Sequence, residues 1–463
     1  MTATESALLR LSEAIGDNNV TSGVDINEDY THDEALGFRP GTPLAVVRPI
    51  TTEDVVAIVN ICSEFGLPIT ARGSGTGLSA AAAARDGAII VAFDRMNRVL
   101  EIDADNGVAV VEPGITLAEL DEATAEHGLI YPISPGESSA SLGGNVNTNA
   151  GGMRAVKYGV TRHQVLGLEC VLASGEVIRT GGKFVKASSG YDLTQLIVGS
   201  EGTLALVTKI TLKLVPRQSN SAVILAPFQD LHSVSAAVPK VVLSGVGPLM
   251  LEYLDMMGMA ATTQGAGMDL GIPDDIKDTA LAYLVIVLEG NHEERVAEDA
   301  SQVAHVLAEA GALDVYMLPV RQGRDLIDAR EKAFWTAKAH GANDIVDVVV
   351  PRAAMGAYVD AVAQLAAQSG ALVAGAGHAG DGNVHLSVFQ PDADKLHALM
   401  MDILGTGVQL GGAVSAEHGI GVEKKPYFMA LEDPTKIALM RGIKKVFDPN
   451  SILNPGVIFD LTD

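Results

Sequence analysis

The first half of the chain alternates between short apolar runs of strand length and longer segments with helical spacing. The strand-like runs cover residues 45–48, 67–71, 87–93, 99–102, 108–112, 166–179 and 204–215. Residues 51–66 read as a helix that opens with hydroxyl caps and early acids and ends at Gly66, and residues 116–127 read as a helix closed by Gly128. Asp105-Asn106-Gly107 separates two of the strand-like runs and predicts a hairpin turn. The pattern predicts one α+β unit over residues 40–217.

The second half repeats this alternation with longer elements. Strands are predicted at 281–288 and 345–350, and helices at 293–310, 322–339 and 352–369. Pro216 to Ser221 reads as a boundary, and 448–455 reads as a loop because of its two Asp/Asn-Pro steps. We therefore expect an N-terminal lead (1–40), a first domain (41–219), a second domain (220–440) and a C-terminal segment (441–463) that returns to the first domain.

Charge and cysteine content narrow the class of partner. The chain has 57 acidic against 32 basic residues and a formal charge of -25, which repels nucleic acid and anionic membrane surfaces. A local arginine or metal ion can still create an anion site inside a cleft. Cys62 and Cys170 offer no disulfide framework, and no run approaches about 18 apolar residues. The N-terminus lacks a signal-like pattern, so we expect a cytoplasmic protein without a membrane span.

Two glycine-rich segments are candidates for binding an extended anion. The first, Arg72 to Ser79, follows a strand, and its alternate glycines let backbone N–H groups curl toward a phosphate, although a plain surface turn remains an alternative. No amphipathic helix follows it, which disfavours a nicotinamide site of the Rossmann type. The second segment, Leu142 to Gly152, lies behind Pro135 to Ser139. We interpret both as loops that hold the two ends of one dinucleotide.

Together with Gly190-Tyr191-Asp192-Leu193 and Gly199 to Leu204, these segments resemble the FAD-binding domain of the vanillyl-alcohol oxidase/p-cresol methylhydroxylase superfamily. The closer resemblance is to its glycolate oxidase subunit and D-lactate dehydrogenase branch. It implies an α+β fold class, with a two-subdomain FAD-binding domain of the p-cresol methylhydroxylase type followed by an α+β substrate and metal domain. Covalent relatives of the first-loop type have a histidine where this chain has Thr76, so we expect non-covalent FAD.

The resemblance also implies a set of FAD-binding residues, with the first loop on the pyrophosphate. They are Arg72, Gly73, Ser74, Gly75, Thr76, Gly77, Leu78, Ser79, Pro135, Glu137, Ser138, Ser139, Gly143, Gly144, Asn145, Thr148, Asn149, Gly151, Gly152, Tyr158, Glu201, Gly202 and Asn454.

A second candidate site is formed by residues 377–389 and 415–421. Alternation from Asn383 onward predicts a strand with Asn383, His385 and Ser387 on one face and Val384, Leu386 and Val388 facing a core, while His378 would come from the turn before it. A lone histidine is usually structural, but two imidazoles and the Glu417 carboxylate make a suitable divalent-metal set. If Glu417 and His418 are extended, their side chains point in opposite directions.

Both segments also resemble the C-terminal domain of the same family. That resemblance implies His378, His385 and Glu417 as metal ligands, His418 as the catalytic base, and Arg330 as the residue that binds the substrate carboxylate. Zinc is the first expectation for the metal, with manganese and iron as alternatives.

Departures from the relatives that oxidise D-2-hydroxyglutarate indicate the substrate. Phe334 stands where they have threonine, Ser387 where they have asparagine, and their lysine near Ile345 is missing. We therefore expect a D-2-hydroxy acid with one carboxylate, D-lactate first and glycolate as an alternative, oxidised by hydride transfer to FAD. The expected electron acceptor is a quinone or an electron-transfer protein, and a homodimer is left open. Competing interpretations are a D-2-hydroxyglutarate dehydrogenase, a non-haem iron oxygenase if no flavin is bound, and a silent electron-transfer subunit.

Overall fold

The computed structural model describes residues 2–461. Its early helices begin where the sequence offers threonine caps. Thr51 accepts from the N–H of Asp54 in a capping box, and the helix Thr52–Phe65 ends at Gly66, whose φ is +65°. The same capping box starts the helix Leu117–Ala125 at Thr116. These helices form as predicted because the capping information is local.

Two larger sheets and one short ladder form the N-terminal part, residues 2–219. The four-stranded sheet runs in the order Val20–Ser22, Ala45–Val47, Ile89–Ala92, Ile69–Arg72, with its last three strands parallel. The five-stranded antiparallel sheet runs in the order Val99–Asp103, Val108–Val111, Leu206–Lys213, Val165–Val171, Val177–Gly181. A short ladder joins Leu129–Ile130 to Val215–Pro216. The remaining α-helices here are Ala3–Ile15, Leu142–Thr148, Ala155–Tyr158 and Leu193–Ile197.

One seven-stranded antiparallel sheet organises the C-terminal part, residues 220–461. Its order is Tyr316–Leu318, Asn220–Phe228, Ala282–Gly290, Met250–Asp255, Leu372–His378, Asn383–Phe389, Asp344–Val349. Its helices are Leu231–Leu243, Met256–Gly265, Asp274–Lys277, Glu293–Glu309, Val320–Glu331, Ala333–Ala339, Met355–Ser369, Ala393–Gln409, Lys425–Leu431 and Pro434–Phe447. Within residues 2–461, no helix is both long and apolar enough to span a bilayer.

The two faces of this sheet have different roles. On the strand Asn383–Phe389, Val384, Leu386 and Val388 are buried in the main core with the long helices, as the alternation predicts. His385 and Ser387 face the other way. The side chains of His385 and Ser387 are thus turned away from this core, while on other strands of the sheet the same face packs in a second core cluster that includes Leu225 and Val285.

Three local predictions are corrected by the structure. The predicted long helix 322–339 is two helices, because the backbone leaves helical geometry at Lys332, and the second helix buries no residue while the first buries Leu326 and Arg330. The second glycine-rich segment is not all loop: Ser141 caps the helix Leu142–Thr148. His378 lies at the end of the strand Leu372–His378 instead of in a turn.

Contacts of the C-terminal segment tie it to the N-terminal part. Lys444 Nζ donates to the carbonyl oxygens of Thr203 and Leu453, 2.7 Å from each. Leu453 in turn forms a parallel bridge with Ile69. The chain end thus packs beside the strand that leads into the first glycine-rich loop.

Candidate functional site

A cavity of about 1180 Å³ lies between the two parts of the chain. Its lining combines the glycine-rich segments of the N-terminal part with the polar face of the seven-stranded sheet. Pockets for drug-sized ligands measure roughly 300–1,000 Å³, so this cavity has room for a large cofactor together with a small substrate.

The two glycine-rich segments form one continuous wall. The N–H of Ser74 donates to Ser141 Oγ at 3.2 Å, and the N–H of Ser141 donates to Ser74 Oγ at 2.9 Å. A Cβ at Gly73 would lie 2.0 Å from Ser141 Oγ, so a side chain at 73 would separate the two segments. The wall presents backbone and small side chains to the cavity, which fits an extended pyrophosphate.

The predicted cofactor residues fall into two groups. Those that line the cavity are Gly73, Ser74, Gly75, Thr76, Gly77, Leu78, Pro135, Glu137, Gly144, Asn145, Thr148 and Gly151. Those outside the lining are Arg72, Ser79, Ser138, Ser139, Gly143, Asn149, Gly152, Tyr158, Glu201, Gly202 and Asn454.

Two residues of the second group hold a neighbouring loop in place. Glu201 accepts the N–H groups of Ile420 and Gly421 at 2.8 and 2.7 Å. The hydroxyl of Ser79 donates to the carbonyl of His418 at 3.1 Å. Because these contacts cross between the two parts, the loop after His418 is fixed from the N-terminal side.

The predicted metal ligands meet at one point beside the cavity. Nε2 of His378 is 3.3 Å from Glu417 Oε1, and Nε2 of His385 is 3.2 Å from the same oxygen. Their side chains are 8%, 17% and 11% exposed for His378, His385 and Glu417. Two imidazole nitrogens and one carboxylate that converge in a nearly buried position fit a divalent metal ion.

A buried carboxylate fixes the tautomer of His378. Glu252 Oε1 is 2.7 Å from His378 Nδ1, and a carboxylate can only accept, so Nδ1 carries a hydrogen and Nε2 is the nitrogen that faces Glu417. Burial lowers the pKa of His378, but the charges of Glu252 and Glu417 outweigh it and raise that pKa well above the ordinary value. A metal ion at Nε2 would therefore replace a proton.

Asp347 shapes the loop that carries Glu417 and His418. Its Oδ2 accepts from Ser415 Oγ and from the N–H groups of Ala416, Glu417 and His418, at 2.8 to 3.0 Å. The loop therefore curls around one carboxylate instead of extending. The expectation that Glu417 and His418 point in opposite directions does not hold, since both line the cavity.

Geometry alone offers a second possible ligand set. Donor atoms of Asp347, His385, Glu417 and His418 all lie within 4.8 Å of one another. Asp347 is a weaker candidate ligand than His378, because four donors occupy its Oδ2 and Asn383 Nδ2 donates to its Oδ1 at 2.9 Å. We favour the predicted set, with Asp347 as the residue that positions it.

His418 has the environment of a base. Its ring stacks on that of His385 at a centroid distance of 5.1 Å, and Nδ1 is 3.9 Å from Asp347 Oδ2. Burial lowers the pKa of His418 below its ordinary value, although Asp347 opposes the shift. The imidazole is therefore neutral near pH 7 and can accept a proton.

Arg330 lies at the end of the helix Val320–Glu331 and lines the same cavity. Its side chain is only 10% exposed, and Nη2 is 3.2 Å from Glu252 Oε2. Among residues 2–461, no acceptor forms a hydrogen bond with its Nε or Nη2. A buried guanidinium with free donors fits a carboxylate ligand.

Sequence reasoning missed Glu252 and Asp347. Each has apolar neighbours inside a strand whose other acid stands at the strand end, Asp255 in Met250–Asp255 and Asp344 in Asp344–Val349. Fully buried acids are rare unless they are paired. An acid among apolar strand residues was therefore the available signal. The sequence did not identify the partners of these acids, because the partners come from distant segments.

Comparison with known proteins bears on the whole chain. Residues 43–181 match the family described as FAD binding domain, and residues 217–458 match FAD linked oxidases, C-terminal domain. An uncharacterized FAD-linked oxidoreductase of Mycobacterium tuberculosis is 54% identical, over 97% of this chain and 98% of that relative. A D-lactate dehydrogenase of Anaerostipes hadrus is 36% identical, over 96% of this chain and 95% of that relative.

A solved structure shares the fold. p-Cresol methylhydroxylase with substrate bound superposes with a TM-score of 0.83 at 20% identity, covering 100% of this chain and 98% of that chain. The predicted fold class is confirmed.

Proposed function

Because the chain belongs to the FAD-linked oxidase family, we propose that it oxidises a small D-2-hydroxy acid, with D-lactate as the preferred substrate. The observation that carries this proposal is the buried guanidinium of Arg330, whose Nε and Nη2 form no hydrogen bond among residues 2–461 and which lies beside the His378, His385, Glu417 and His418 cluster. This arrangement suits a substrate with a carboxylate next to a reacting hydroxyl. The FAD-binding match disfavours the iron oxygenase, which presupposes a chain without flavin.

Each residue has a distinct part in the proposed reaction. Arg330 would hold the substrate carboxylate through a bidentate contact and so orient the adjacent carbon. When bound, FAD would supply the hydride acceptor and a divalent ion would supply a Lewis acid. Nδ1 of His418 faces Asp347, which leaves Nε2 to accept the hydroxyl proton. The substrate would thus lose the hydride from C2 and the proton from its hydroxyl, and become the 2-oxo acid.

The donor set supports a proposed metal site at His378, His385 and Glu417, with zinc as the first choice and manganese or iron as alternatives. Non-covalent FAD is proposed on Thr76, which lines the cavity where covalent relatives have histidine. A quinone or an electron-transfer protein is the proposed electron acceptor.

Flavin reduction under anaerobic conditions tests the proposal. D-Lactate should bleach the flavin absorbance of the purified protein and L-lactate should not, because Arg330 and His418 fix the orientation of the substrate. Arg330→Gln should retain FAD, which the N-terminal loops hold, and lose most of the reduction rate. A wild-type protein that keeps its flavin oxidised with every D-2-hydroxy acid in a panel would rule the proposal out.

A further inference from the structure

We propose that Glu252 is a positioning residue that couples the metal site to the carboxylate site, because one carboxylate holds both His378 and Arg330. The inference rests on the proposed function, which places these two residues in the active site.

Three separate elements meet at Glu252. It lies on the strand Met250–Asp255 and is 0% exposed. Its Oε1 contacts Nδ1 of His378, from the strand Leu372–His378, at 2.7 Å. Its Oε2 lies 3.2 Å from Nη2 of Arg330. The two oxygens of one side chain thus face two different groups of the site.

The first contact sets the direction of His378. Because Nδ1–H donates to Glu252, Nε2 is the nitrogen left to face Glu417, 3.3 Å away. A carboxylate behind a metal-binding histidine fixes its ring and makes it a stronger ligand, and loss of such a partner typically lowers metal affinity 10–100-fold.

The second contact is an ion pair that lacks hydrogen-bond geometry. Neither Glu252 Oε2 nor Arg330 Nη2 has a hydrogen-bond partner of suitable geometry among residues 2–461, so the attraction between them is one of charge. A guanidinium this deeply buried needs a nearby negative charge, or the cost of burying it is not compensated. Glu252 supplies that charge and leaves the donors available for a substrate carboxylate.

Glutamine at this position would satisfy only one of the two groups. Its carbonyl can accept from His378 or lie beside Arg330, while its NH₂ group faces the other donor. Both the metal ligand and the carboxylate-binding residue are therefore expected to shift in Glu252→Gln.

A matched control exists on the same strand. Asp255 is also largely buried, but its carboxylate accepts backbone N–H groups, from Gly258 at 2.6 Å and Gly375 at 2.7 Å. Asp255→Asn therefore changes a buried carboxylate whose hydrogen bonds reach neither His378 nor Arg330.

The test measures zinc affinity by chelator competition, flavin content by absorbance, and KM and kcat for D-lactate in the full-length FAD protein. Glu252→Gln should weaken zinc binding about 10–100-fold and, at saturating zinc, raise KM about tenfold or more, with flavin content unchanged. Asp255→Asn should stay within about threefold of wild type for zinc affinity and KM. Should Glu252→Gln not fold, Glu252→Asp retains the charge on a shorter arm and must show both defects in weaker form.

The outcomes separate the two proposals. Wild-type zinc affinity in the folded Glu252 variant, or a change in only one of the two constants, overturns the coupling while the proposed function stands. If the wild-type protein binds no divalent ion, or if no D-2-hydroxy acid reduces its flavin, both the coupling and the proposed function are overturned.

Discussion

The side chain of Asp347 positions two of the proposed active-site residues, Glu417 and His418. One of its oxygens accepts four hydrogen bonds from the loop 415–418, and the residue is 3% exposed. Charge-assisted hydrogen bonds are roughly twice as strong as neutral ones, so this loop geometry depends on an ionised carboxylate. Burial raises the pKa of Asp347, but His418 and His385 outweigh it and lower that pKa.

Asp347→Asn is therefore expected to reduce turnover by at least about a hundredfold, the scale of a misplaced general base. Flavin content should not change, because the wall proposed to bind FAD, formed by the two glycine-rich segments, lies in the N-terminal part of the chain. Ser415→Ala, which removes one donor of the four, serves as the control and should cost less than about tenfold. Equal losses in the two variants would show that the loop does not depend on the carboxylate. Single-turnover flavin reduction provides the measurement.

Neighbouring residues Glu417 and His418 should give different phenotypes. Glu417→Gln should lose bound metal and turnover, whereas His418→Ala should keep metal and FAD and lose about 10²–10⁴-fold in rate. Metal analysis by plasma mass spectrometry, paired with anaerobic flavin reduction, reads both properties. Metal loss in His418→Ala with retention in Glu417→Gln would mean that ligand and base are assigned the wrong way round.

At the level of secondary structure elements, the sequence patterns predicted some features and missed others. The alternation that placed His385 and Ser387 on one strand face is confirmed, because period 2 is a local property of the strand. The helix break at Lys332 was not predicted, and the curl of the loop at Glu417 was not predictable, since it follows from hydrogen bonds to the distant Asp347. The helix Leu142–Thr148 was hidden by its glycines, and the structure shows that Ser141 caps it.

The elements that face the catalytic cluster also predict substrate choice. Phe334 on the helix Ala333–Ala339 lines the cavity together with Ile345 and Ser387, and none of the three carries a charge. The cations Arg321 and Lys332 also line the cavity, but both are exposed to solvent.

D-Lactate should therefore have a kcat/KM roughly tenfold to a hundredfold above that of D-2-hydroxyglutarate, because an unpaired buried carboxylate costs at least about 1–3 kcal/mol. Steady-state assays with both acids measure this ratio. Comparable constants would show that an exposed cation reaches the distal carboxylate.

Over the whole molecule, the two parts of the chain are joined through the loop after His418. Glu201 and Ser79 belong to the N-terminal part, yet they bind the backbone of residues 418–423. Burial raises the pKa of Glu201 to about 7, against the N–H groups of Ile420 and Gly421, which lower it. The ordinary value is 4.5, so the folded chain binds a proton more tightly than the unfolded chain.

Stability should consequently fall as pH rises from about 4.5 to about 7, by at most on the order of 3 kcal/mol from this group. Glu201→Gln should remove that part of the pH dependence. Urea unfolding at pH 5, 6, 7 and 8 gives the free energy of unfolding of the wild type and of Glu201→Gln. The difference between the two isolates the contribution of Glu201 from those of Asp33 and Glu423, whose pKa values burial also raises. Parallel stability curves would contradict the assignment.

The contact between Gly151 and Glu417 constrains which sequences this fold accepts. A Cβ at position 151 would lie 2.4 Å from Glu417 Oε2. The wall formed by the two glycine-rich segments and the proposed metal site are therefore in direct contact at this point. The residues at positions 151 and 417 should therefore not vary independently. In a library that randomises both, selected for growth on the substrate, alanine at 151 should survive mainly beside the shorter aspartate at 417, a pairwise epistasis that deep sequencing would reveal.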